Sequence, residues 1–264
     1  MRLGVIGHGA IGREVVAAAD RGALGAGIAL AAVLVRRPRA SADEPLLTHE
    51  PGRFFAQPLD VVLECAGHQA VREHGVRCLE AGADLVLTSV GALVDDAMRA
   101  RLYAGAERCG RRLLIASAGI GALDILAAAA VGGLERVTVT VRKDPSAWYG
   151  TAAESLCDLG GLEAPLTLFD GSVREGAARY PQNVNISAAA AFAGLGLDRT
   201  RLVIVVDPAL RRHVVEIAAE GAFGRFSFVE EVEPSADNPK TGTLVAMAVI
   251  KTLRQLAAPV VVGA

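Results

Sequence analysis

Short apolar runs alternate with helical patterns through the first 118 residues. Arg2 to Ile6 is an apolar run that stops at a glycine turn; Ile28 to Val35, Val61 to Cys65, Leu85 to Thr88 and Leu113 to Ala116 follow it. Between them, Ile11 to Arg21, Ala70 to Ala81 and Asp95 to Cys109 read as helices, the second carrying Val71, Val76, Cys78 and Leu79 as its apolar positions. Continuous apolar strands separated by helices predict a parallel sheet covered on both faces. Right-handed crossovers make such a sheet doubly wound.

The texture changes after Ala118. A helix is predicted over Leu123 to Val131, then an alternating β-branched strand over Glu135 to Lys143. Arg201 to Val206, His213 to Ala219 and Phe223 to Glu233 read as further strands, with turn signals at Asp207-Pro208 and Gly221. Strands this close in sequence predict a mixed or antiparallel sheet. An alanine-rich helix starts at Asn185, and a final apolar helix runs from Thr241 to Ala257. The expected organisation is a dinucleotide-binding domain over residues 1–118, a second α/β domain over 119–240, and a C-terminal helix, 241–264, packed back on the first domain.

Composition narrows the class. The chain has 264 residues, 52% hydrophobic and 21% charged, with net charge −2, the profile of a soluble globular protein. No basic excess points to nucleic acid. The start, MRLGVIGHG, carries too short an apolar run for a signal peptide, and Gly22 to Val35 is too short for a membrane span. Cys65, Cys78, Cys109 and Cys157 show no C-x-x-C spacing, so neither a disulfide framework nor a metal site is expected. A cytoplasmic location follows.

The strongest motif is Gly7-His8-Gly9-Ala10-Ile11-Gly12, which is G-x-G-x-x-G. It follows an apolar strand and opens a helix, the context a dinucleotide turn requires. The first glycine allows the turn, the second lets the backbone approach a pyrophosphate, and the third lets helix and strand pack closely. The anion rests on the helix N-terminus. The first domain is therefore expected to be a Rossmann domain binding NAD or NADP. The second strand ends Leu34-Val35-Arg36-Arg37-Pro38-Arg39, without the carboxylate that would hold a ribose 2′-hydroxyl. Arg36 suits a 2′-phosphate and tilts the reading towards NADP or dual use. Small residues at two other strand ends, Cys65-Ala66-Gly67 and Ser89-Val90, leave room for the nicotinamide ribose.

Further polar candidates are fewer. His68 is read as a helix N-cap. His213 opens a strand, where an imidazole could move protons or simply be structural. Tyr180-Pro181-Gln182-Asn183-Val184-Asn185 is either a turn capping the helix behind it or a source of amides for a ligand. Lys240, ahead of the final helix, could meet a substrate carboxylate or lie in a solvated loop.

Taken together these segments resemble the L-aspartate dehydrogenases over nearly the whole chain. The likeness rests on Gly7 to Gly12, Glu64 to His68, Ser89 to Leu93, Ser117 to Asp124, Tyr180 to Asn185, His213 ahead of Glu220 to Gly224, and Asn238 to Thr241. The resemblance implies a homodimer, NAD or NADP as cofactor, L-aspartate/oxaloacetate and ammonia as small-molecule substrates, and a part in NAD biosynthesis. It places the catalytic histidine at His213. It places cofactor contacts on the Ser117 to Ile120 turn, including Ala118 and Gly119, and on Asn183 or Asn185. Where the family reads Ser-Gly-Ala-Ile, this chain reads Ser117-Ala118-Gly119-Ile120. Lys240, Arg142 and Arg174 are the candidates for the substrate carboxylates. Two other readings are a related dehydrogenase or imine reductase on another small dicarboxylate or amino acid, and a non-catalytic NAD(P)-sensing protein.

Overall fold

The computed structural model describes residues 1–38, 46–117, 119–181, 184–235 and 238–263, with the backbone alone for 238–241. Among the sequence candidates, Arg39, Ala118, Gln182 and Asn183 lie outside the described residues, as does the side chain of Lys240. The chain folds as two compact units, residues 1–116 with 246–262, and residues 117–245 with the last two.

The first unit alternates strands and helices: β1 (Arg2–Ile6), α1 (Ala10–Asp20), β2 (Ala29–Leu34), β3 (Leu47–Thr48), α2 (Pro51–Phe55), β4 (Val61–Glu64), α3 (His68–Glu80), β5 (Asp84–Leu87), α4 (Asp96–Cys109) and β6 (Leu113–Ile115). Its six strands lie in the order β3-β2-β1-β4-β5-β6, all pairs parallel. This is the doubly wound dinucleotide-binding arrangement, whose ligands sit at the carboxyl ends of the strands. β4 and the last three residues of β5 are fully buried, as their unbroken apolar runs require. The short β3 and α2 have no periodic signal to announce them. Asp95 caps α4 by accepting from the N–H groups of Ala97 and Met98, and Gly110 ends it in the left-handed conformation.

The second unit begins with α5 (Leu123–Gly132) and β7 (Leu134–Lys143), then β8 (Leu166–Ser172), α6 (Val173–Arg179), α7 (Asn185–Ala193), β9 (Arg201–Val206), β10 (His213–Gly221) and β11 (Gly224–Val232). The sheet order is β11-β10-β7-β9-β8, mixed because β7 and β9 run parallel while the other pairs are antiparallel. α5 packs on β7 and β10, and α6 on β8 and β9. The alternation is strict where it matters. Val137, Val139, Val141 and Lys143 of β7 are buried, as are His213, Val215, Ile217 and Ala219 of β10. These rows lie side by side in the register, Val215 opposite Val141 and Ile217 opposite Val139.

The end of the chain departs from expectation. Asn238–Gly242 is a strand, β13, paired antiparallel with β12 (Pro234–Ser235), and the last helix, α8 (Leu244–Ala257), starts later than Thr241. From Ala246 onwards it belongs to the first unit, where Val249 and Leu253 are fully buried and Ala257 lies against Gly27. β8 and α6 are likewise unannounced by periodicity. A register shift between Thr167 and Phe169 interrupts the alternation there.

Candidate active site

The glycine turn is built by close approach. Gly7 has φ +108°, and a Cβ there would lie 2.8 Å from the Cys65 carbonyl oxygen. A Cβ on Gly12 would collide with the Gly7 carbonyl, so the start of α1 is pressed against the end of β1. Gly9 is different: a Cβ there would meet nothing within 4 Å. It is also the N-cap of α1, with no side-chain cap and no acidic residue in the first turn. The first-turn N–H groups, the positive end of the macrodipole and the open space over Gly9 together fit a pyrophosphate. Ala10 and Ile11 are half-buried beside it, and His8 is nearly buried. Arg36 and Arg37, just past β2, are exposed.

The neighbouring strand ends are locked by one carboxylate. Glu64, the last residue of β4, is 1% exposed. Its Oε1 accepts from the Ala66 and Gly67 N–H groups at 2.8 and 2.9 Å and from the Ser89 hydroxyl at 2.9 Å. Its Oε2 accepts from the Ser89 N–H at 3.2 Å. Burial pushes the Glu64 carboxyl up, and these four bonds pull it back. Ala66, Gly67, Ser89 and Val90 are thereby held at the sheet's carboxyl edge. The Cys65 thiol packs beneath the turn, donating towards the Ile6 and Gly7 carbonyls, and burial raises its pKa. His68 is not the N-cap; Gly67, at φ +111°, takes that place and His68 is the first helical residue of α3.

In the second unit, the turn ahead of α5 is strained. Ala122 sits at φ +61°, the one non-glycine residue with positive φ among the described residues. The Gly121 N–H donates to Glu230 Oε2 at 3.3 Å, and a Cβ on Gly121 would lie 2.5 Å from the Phe228 ring. Phe228 and Glu230 of β11 thus fix the turn. Gly119 is also crowded: a Cβ there would lie 3.2 Å from Ile186 and 3.3 Å from Val245. Asn185, half-buried, is the first residue of α7. His213 opens β10 at 4% exposure, on the same buried row as Val215 and Ile217. Arg142 lies on the other, exposed face of β7, and Arg174 is engaged by Asp198 through two bonds of 2.5 and 3.0 Å. Neither arginine lies on the buried row of β7 and β10 that carries His213.

Comparison with known proteins matches both units. A model of the homoserine dehydrogenase NAD-binding domain fits residues 7–116, and one of the aspartate dehydrogenase C-terminal domain fits residues 124–256. An L-aspartate dehydrogenase of Ruegeria pomeroyi is 42% identical over 98% of this chain and 94% of its own length. The chain belongs to the L-aspartate dehydrogenase family. A second family member, from Pseudomonas aeruginosa, is 44% identical over 74% of the chain and 73% of its own length. The fold agrees as well: the aspartate dehydrogenase crystal structure from Thermotoga maritima superposes with a TM-score of 0.74, at 24% identity, covering 99% of both chains.

Family membership makes this chain's departure at Ser117-Ala118-Gly119-Ile120 readable in part. A side chain at 119 would require Ile186 or Val245 to give way by a few tenths of an ångström. Two further residues matter that the sequence does not single out. Glu64 stands there only as part of a motif, and Glu230 only as part of a strand. Yet Phe226, Phe228, Glu230 and Val232 alternate, and that period places Glu230 on the inward row.

Two sets of variants test this geometry. Gly12→Ala cannot be accommodated without moving α1, so its melting temperature is expected to fall. Gly9→Ala fits the free protein but fills the space over the turn. Its melting temperature is expected to stay unchanged while fluorescence titration shows weaker NADH and NADPH binding. Normal binding by Gly9→Ala would contradict the pyrophosphate assignment. For Glu230, burial holds the carboxyl above its ordinary 4.5. The folded state therefore keeps this proton longer than the unfolded chain, and the group's contribution to stability is lost as pH rises through the raised value. Glu230→Gln is expected to gain thermal stability relative to the parent as pH rises from acid to neutral, and a pH-independent difference would refute it.

Proposed function

We propose that the protein oxidises L-aspartate with NAD or NADP, giving iminoaspartate and then oxaloacetate and ammonia, reversibly, and so supplies NAD biosynthesis. The observation that carries this reading is the likeness, at 42% identity over 98% of the chain, to a protein named L-aspartate dehydrogenase. The open, uncapped glycine turn supports the cofactor half of it.

Bound NAD(P) would supply the hydride acceptor. In this reading Gly7 to Gly12 would cradle the pyrophosphate and Arg36 would meet the adenosine ribose or its 2′-phosphate. Cys65 to Gly67, through their backbone, and Ser89 and Val90 would line the nicotinamide ribose. The family resemblance assigns the nicotinamide contacts to Ala118, Gly119 and Asn183 or Asn185, of which Ala118 and Asn183 lie outside the described residues. The substrate ammonium must shed one proton before its nitrogen lone pair can help expel hydride from the α-carbon. His213 accepts that proton, then manages the water that hydrolyses the imine. Its burial on an apolar row excludes bulk water from the exchange.

The same proposal includes a homodimer in the cytoplasm. β11 is an outer strand of its sheet with Val229 55% exposed, and soluble proteins cover such edges. No helix among the described residues is long and apolar enough to cross a membrane.

The deciding assay is NAD(P)H formation with L-aspartate at alkaline pH, with NAD and NADP in parallel. Turnover with one or both is expected. Cofactor binding without turnover on L-aspartate or related amino acids would leave the sensing reading. His213→Ala is expected to lose about 10²- to 10⁴-fold in kcat with NADH affinity unchanged. Turnover like that of the parent would remove His213 from the mechanism.

A further inference from the structure

We infer that Lys143 binds a carboxylate of the substrate beside His213, an inference that rests on the dicarboxylate reading above. Lys143 is the last residue of β7 and is 4% exposed, the one buried lysine or arginine among the described residues. Desolvating an ammonium is costly, so a buried lysine is held among partners, and Lys143 has such interactions within the protein. Its position is specific. The antiparallel register of β7 and β10 pairs Val141 with Val215 and ends with Arg142 against Val214; continuing it by one residue would set Lys143 against His213. Both residues fall on the buried row, Lys143 continuing Val139 and Val141, His213 preceding Val215 and Ile217. Side chains directly opposed on such a pair start about 5 Å apart at Cβ.

The mount is rigid. The Lys143 carbonyl accepts from the Asp207 N–H at 2.9 Å and from the Trp148 indole N–H at 3.4 Å. Asp144, next in the chain, accepts from the Ser146 N–H at 2.8 Å and caps the turn Pro145–Trp148. Trp148 is fully buried and packs edge-on against Tyr180. The strand end that carries the cation is thus fixed from three sides. An amino acid with two carboxylates offers a negative group within its own length of the ammonium that His213 must deprotonate. Lys143 and His213 supply the matching pair, a fixed positive charge and a proton acceptor on adjacent strands. Arg142, on the opposite face, and Arg174, held by Asp198, do not.

The test uses the full-length enzyme and two variants. Lys143→Met keeps length and apolar packing without charge; Lys143→Arg keeps charge. Four quantities are read: KM and kcat for L-aspartate, NADH affinity, and the rise in melting temperature caused by succinate, an unreactive dicarboxylate. Lys143→Met is expected to raise KM about 100-fold, with a smaller change in kcat. It is also expected to abolish the succinate shift and leave NADH affinity intact, while Lys143→Arg recovers part of the KM loss. An unchanged KM and succinate shift, with only a lower melting temperature, would make Lys143 a structural lysine and overturn the inference. Should Lys143→Met not fold, Lys143→Gln is read in the same way. If succinate stabilises the parent and not the variant, yet neither turns over aspartate, the proposed reaction fails while the carboxylate site stands. If the parent responds to neither, both fail.

Discussion

Four donors from two strand ends converge on the Glu64 carboxylate, and the candidate cofactor edge depends on that convergence. A buried carboxylate is expensive unless its lone pairs are filled. Here they are filled by three backbone N–H groups and one hydroxyl from the very segments that need positioning, Ala66-Gly67 after β4 and Ser89 after β5. The Ser89 hydroxyl also accepts from the Gly67 N–H, which closes the ring of bonds. One side chain thus converts two loops into a single stiff ledge. The glycine turn is shaped beside that ledge, since a side chain on Gly7 would strike the Cys65 carbonyl.

The second unit uses the same economy in a sheet. Period-two alternation there does more than fill a core. It carries apolar residues along β7 and β10 and then, at the final position of one and the first of the other, substitutes Lys143 and His213. A polar pair at the end of an apolar row is shielded from water on the side of the row and presented at the end. The burial that makes such groups costly also strengthens their interaction with a charged ligand.

Much of this is legible in the sequence because it is periodic. The apolar runs of the first unit, the alternating strands from Glu135 onward and the glycine turn all carry local signatures. His213 is located by resemblance, and the structure adds that it lies on a buried row. What escapes the sequence is either short or non-local. β3 has two residues and no pattern of its own. The role of Glu64 depends on Ser89, 25 positions away, and that of Glu230 on Gly121, 109 positions away. The predicted final helix starts too early because Asn238 to Gly242 are compatible with a capping turn, whereas pairing with Pro234–Ser235 draws them into a strand. Lys143 is within reach of the pattern: the alternation that predicts the strand also assigns it to the inward row.

The path of the chain through the first unit bears on how the molecule is made. That unit is left at Ala116 and rejoined only at Ala246, with Val249 and Leu253 completing its interior. On a ribosome the nucleotide-binding sheet therefore emerges early but waits for nearly the entire polypeptide before its last buried helix arrives. The intervening unit, contiguous in sequence from residue 117 to 245, has all its strands synthesised by then. The unit encoded first is therefore the one whose last buried element is synthesised later.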